Sequence, residues 1–189
     1  MSKRERLIRV VRRTQTFISI LLFFIVFLIC WKFTNFDITQ VQISIWGRDG
    51  ILGNIWNTSV CIFAGSIFLN SILYLRSNLR IRYKKLFYIL FSFISICLFF
   101  VGLYDMTWGA IHNYPAGLYF FFYPLTIFLF TYLNRSHLSY KNWLQYVILS
   151  VLMAVVPMIF ISIFKGMAIA EIAHTLLVII YNIKLSISD

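Results

Sequence analysis

Residues 166–182 read GMAIAEIAHTLLVIIYN, an apolar stretch that carries Glu171 and, three residues on, His174. On an α-helix that spacing puts the carboxylate and the imidazole on one face. The bland use of such a pair is a charge-assisted hydrogen bond that fixes helix packing. A second use is chemical, because E-x-x-H is half of a metal site in helical bundles. Asp105 and His112, in the segment DMTWGAIHNY, would complete a set of two imidazoles and two carboxylates able to ligate zinc or iron. A divalent metal is therefore the cofactor to consider. The motif is loose, however: any Glu and His three apart satisfy it, and no second E-x-x-H occurs.

With a rise of 1.5 Å per residue, Glu171 lies about 9 Å and His174 about 13 Å along the helix from Lys165. Ionisable groups at such depth in a membrane are costly, face the bundle interior, and are functional-site candidates by default. Asp37, Asp49, Asp105 and Glu171, with His112 and His174, gather toward one end of the chain's fold, whereas Glu5, Asp189 and His137 belong to the other. The expected partners of Glu171 are Asn57, Asp105, His112 and His174. Together they would floor an outward-facing polar pocket for a ligand.

The elements that position these residues follow from composition. The chain of 189 residues is 61% hydrophobic and only 12% charged, against about 25% charged in soluble domains. A span needs about 20 apolar residues. Six stretches qualify, near 17–33, 55–75, 86–104, 115–133, 143–164 and 166–183. The expected fold is all-α: a single integral membrane domain over 1–189, a polytopic bundle of six transmembrane helices. It has a basic leader at 1–16 and an outer loop at 32–54. Pro124 and Pro157 fall within spans four and five and should kink them.

Basic residues fix the expected orientation. Fourteen of the seventeen Lys and Arg lie in the leader, in the links after spans two and four, or after span six; only Lys32, Arg48 and Lys165 lie in the opposite links. The positive-inside rule then places both termini in the cytoplasm and the protein in the plasma membrane. The net charge of +11 is topology, with anionic lipid heads as partners of the basic segments, and not a nucleic-acid surface. No small-x-small site follows span one, and Ile29 before Cys30 argues against lipoprotein processing, so span one is expected to stay uncleaved. Cys30, Cys61 and Cys97 lie in spans without C-x-x-C spacing and are expected as free, small hydrophobes.

Three local expectations complete the picture. Val41, Ile43 and Ile45 alternate with Gln40, Gln42 and Ser44, the period of a short strand capping the outer helix ends. Asn113 ahead of Pro115 looks like the cap of span four. Phe164, Lys165 and Gly166 leave room only for a tight turn, with Gly166 supplying backbone freedom. No G-x-S-x-G elbow, H-E-x-x-H run or phosphate loop is present. Ser44, Ser59 and Ser66 are ordinary packing residues.

The stretches SIWGRDGILGNIWN and GLYDMTWGAIHNYPAGLYFF resemble an uncharacterised six-helix prokaryotic membrane protein family, distantly similar to the FRAG/DRAM/Sfk group. The resemblance covers about 44–130 and extends weakly to the Glu of span six. Its matching positions are Ser44, Gly47, Asn57, His112, Ala116 and Glu171. It implies a part in lipid-anchor remodelling, membrane-lipid organisation or autophagy. The residues together point to a protein that binds or handles a lipid or amphiphile. The alternatives are a metal-dependent enzyme using Asp105, His112, Glu171 and His174, and a proton-coupled carrier in which Glu171 titrates. No inverted repeat supports the carrier.

Overall fold

The computed structural model describes residues 3–34, 37–48, 50–77 and 81–187. Asp49, Arg80 and Asp189 lie outside the described residues. Six helices result: α1 (Lys3–Phe33), α2 (Gly50–Ser77), α3 (Lys84–Leu103), α4 (Ala110–Leu133), α5 (Tyr140–Ile163) and α6 (Ala168–Ile187). All six are long and apolar enough to cross a membrane. Sequential neighbours pack against one another, and α6 also closes onto α1 and α2. Among the described residues there is no strand.

The first five helices begin earlier than hydropathy suggests, and the sixth two residues later. Residues 3–16 of the basic leader form the first turns of α1. Arg12 shows why, since its guanidinium is buried and donates through Nε and Nη2 to the Ser186 carbonyl at 3.3 and 3.1 Å. It also lies over the Tyr74 ring at 5.1 Å. A cation counted for topology is thus a clamp between the first and last helices. Span four likewise starts at Ala110, after Gly109 at φ +52, so Asn113 is not its cap and Pro115 lies inside the helix.

The alternating segment is not a strand either. Ile43–Gly47 forms a 3-10 helix. With three residues per turn, Ile43 and Trp46 fall on one side, and both are buried. The Trp46 ring sits 5.3 Å from Phe27 and 5.1 Å from Trp56, next to a Phe23–Phe63 stack at 5.0 Å. An aromatic plug between α1 and α2 therefore outcompetes an isolated strand, which would have no ladder to join.

The α5–α6 turn is tight, as its length requires, and it is stitched to the loop: Gly166 N–H donates to the Thr39 carbonyl and Ala168 N–H to that of Val41, both at 2.9 Å. Asp37 accepts the Thr39 amide and hydroxyl at 2.9 and 2.7 Å, which shapes the loop and holds its carboxyl below the usual range. Gly166 has no positive φ. A side chain there would run into the backbone of Gln40 and Val41, so close approach, not backbone freedom, requires glycine. We call this end of the bundle the capped end and the opposite one, with Arg12 and Arg135, the basic end.

Candidate functional site

Four of the polar residues singled out in the sequence share one habit: each holds a backbone group of another element. Glu171, in the first turn of α6, accepts the Ile43 N–H at 2.6 Å through Oε2, and the Ser44 amide faces it too. These are the opening amides of the 3-10 helix, whose N-cap Gln42 offers no side-chain bond. The first amides of a helix have no partner within it, and a carboxylate suits that end. Glu171 is the missing cap, delivered from 128 residues away.

His174 answers a second orphan. Pro157 has no N–H, so the carbonyl of Met153, four residues before it, loses its place in the α5 ladder. His174 Nδ1 lies 3.2 Å from that oxygen. Against a carbonyl the nitrogen must be the donor, which leaves Nε2 as an acceptor in the neutral ring. That Nε2 is buried and has no hydrogen-bond partner. The rings of Tyr119, Phe120 and Tyr123 pack around the imidazole.

His112, also buried, uses Nδ1 on the Tyr104 carbonyl at 2.7 Å, where α3 ends. Asn57 donates to the Gly47 carbonyl at 3.1 Å and so closes the 3-10 helix at its other end. In hydrocarbon every backbone polar group needs an internal partner, and these four side chains supply it where regular helix stops.

Asp105 does not join them. Its carboxylate caps the short turn Met106–Trp108 by accepting the Thr107 amide at 2.7 Å and the Thr107 hydroxyl. No hydrogen bond links Glu171 to His174 or to His112, so the expected pair on α6 is two separate struts. Among the described residues no three His, Cys, Asp or Glu side chains are grouped to hold a metal. The three cysteines are free.

Glu171, His174 and His112 nonetheless face one feature. Between α4 and α5, with α6 as its floor, runs a cleft of about 890 Å³. Most of its polar residues collect at the capped end, namely Gln42, His112, Asn113 and Glu171, with His174 deeper; Ser150 at the far end spends its hydroxyl on the Val147 carbonyl. From there it continues past Pro124 and Pro157 to Phe128 and Ser150. His112 to Phe128 is about 24 Å along α4. Small residues make the room, namely Ala116, Gly117, Ala154 and Ala170. The rim is apolar and open along its side, with Phe121 at the middle of α4 65% and Met158 nearer the capped end of α5 71% exposed, so the cleft opens sideways, where a bilayer would lie. The sequence signal missed was this set of small residues on three helices.

Beside the cleft lies a second space of about 60 Å³, lined mainly by apolar side chains such as Phe23, Trp56, Val60 and Phe63, with Ser44, Asn57, His112 and Glu171 as its polar groups. His112, Ala116, Phe120 and Glu171 line both spaces. Toward the basic end a separate polar core locks helices together: Asn70 donates to Asn182, which donates to the Tyr123 hydroxyl at 2.8 Å.

Comparison with curated proteins and with solved structures finds no match. A family profile does match, over residues 17–187, which takes in nearly all of the six helices. The chain belongs to the DUF998 family, whose description is a protein of unknown function.

Proposed function

We propose that this multi-pass protein binds a lipid or related amphiphile in the cleft between α4 and α5. The head would sit among His112, Asn113 and Glu171, and the chains along the apolar trough. One observation carries this reading: the cleft's polar groups cluster at one end, the Ser150 hydroxyl at the other being bonded to its own helix, and the cleft is open along its side. A water-soluble ligand gains nothing from a side opening onto hydrocarbon, whereas an amphiphile enters through it. The charge bias supports a plasma-membrane location with the basic end in the cytoplasm, which puts the head in the outer leaflet. The metal-enzyme reading would need Asp105 in the cleft, away from Thr107, and no observation favours the carrier.

The test is the lipid content of protein purified in mild detergent, measured by native mass spectrometry. Gly117→Leu and Ala154→Trp fill the trough, and a side chain at Gly117 meets open space. We expect one retained amphiphile in the wild type and at least tenfold less in either variant. A wild-type protein free of lipid, or variants that retain it fully, would overturn the reading.

A further inference from the structure

The cleft also constrains the chemistry of the head, given the amphiphile reading above. Its lining holds no Lys or Arg, so a phosphate or carboxylate would enter without a counter-charge, at high cost in a low dielectric. Most of the side-chain donors at its buried end are already committed, and the free amide donors of Asn113 lie at the exposed mouth. His112 Nδ1 is engaged with Tyr104 O and His174 Nδ1 with Met153 O. Gln42 turns its amide nitrogen to Met106 Sδ at 3.0 Å, and Ser150 donates to the Val147 carbonyl at 2.8 Å. Away from the mouth what remains is mainly acceptors: two imidazole Nε2 atoms, the Gln42 amide oxygen and the Glu171 carboxyl, beside the second Gln42 N–H. Of these, His174 Nε2 is fully buried without a partner. The Glu171 carboxyl accepts the Ile43 amide at the 3-10 helix start and has no cation beside it in the lining.

The geometry points to a neutral amphiphile whose head donates hydrogen bonds through hydroxyl groups, the chemistry shared by acylglycerols and glycosylated lipids. A head with acceptors alone, such as a quinone or an ester, would find donors on Asn113 at the mouth and would leave the His174 Nε2 without a partner. An anionic head would meet a carboxylate and no cation.

Three probes of equal chain content separate these cases in delipidated protein, read by native mass spectrometry. They are dioleoylglycerol, the same molecule with its hydroxyl acetylated, and dioleoyl phosphatidic acid. Dioleoyl glycosylglycerol, run alongside, tells a sugar head from free glycerol. We expect dioleoylglycerol or its glycoside to bind at least tenfold more tightly than the acetylated and anionic probes. A variant extends the test without touching the buried struts: Asn113→Lys puts a cation at the exposed mouth of the cleft, and should raise phosphatidic acid binding at least tenfold. Equal binding of the acetylated probe, or a wild-type preference for phosphatidic acid, would overturn the head assignment and leave the amphiphile reading in place. Binding of no probe would overturn both.

Discussion

At the scale of the residue, the imidazole of α6 is explained by a proline on α5. His174 donates to the carbonyl that Pro157 cannot serve, and a buried polar group left without a partner costs about 1–3 kcal/mol. The explanation has a sign that a plain packing role lacks. His174→Phe should lower the melting temperature, whereas Pro157→Ala alone restores the ladder and should be neutral or stabilising. In the double variant the alanine brings the N–H that proline lacks and takes back the Met153 oxygen, so most of the loss should be recovered. The coupling should exceed the roughly 0.5 kcal/mol within which independent sites add; additive effects in thermal denaturation would show that the two residues do not share that carbonyl. Glu171, His112 and His174 were legible in the sequence as buried polar groups. Their partners were not, because all are backbone atoms, which a sequence lists only implicitly. Pro157 was the one written clue, since an internal proline always announces a free carbonyl four residues earlier.

At the scale of the element, the six helices were legible because bilayer thickness dictates their length and apolarity. The capped end was not, because its order comes from tertiary contacts. Alternation over 40–45 marked a strand, yet Trp46 between Phe27 and Trp56, with Glu171 on the first amides, selects a 3-10 helix. That helix and the loop before it rest on the α5–α6 turn through Gly166 and Ala168. Gly166→Ala tests the contact more sharply than a bulky substitution does. Were backbone freedom the requirement, alanine at an ordinary φ would be tolerated. Because the first side-chain carbon already meets the Gln40 and Val41 backbone, Gly166→Ala should lower the melting temperature by several degrees. It should also speed proteolysis within the 37–48 segment. Unchanged values for both would mean that the loop does not rest on this turn.

At the scale of the whole molecule, orientation decides which leaflet the cleft's polar end meets. The sequence offers Asn134-Arg135-Ser136 as a glycosylation reporter on the basic side, but the fold disables it. Asn134 is fully buried, accepts the Arg82 amide at 2.7 Å and donates to the Phe130 carbonyl at 3.0 Å. It would stay unmodified on either face of a membrane. Exposed positions at the two ends report instead, because Gln40 lies in the loop of the capped end and Lys141 at the start of α5 on the basic end, both exposed. Native background should be low, since Cys30 and Cys97 are buried and Cys61 lies within α2, packed near the Phe99 carbonyl. In intact cells a membrane-impermeant maleimide should label Gln40→Cys and spare Lys141→Cys until the membrane is opened. The opposite pattern would invert the bundle, move the head of any bound amphiphile to the inner leaflet, and set aside the positive-inside assignment. Fourteen cations on one side against three on the other make the first outcome the expected one.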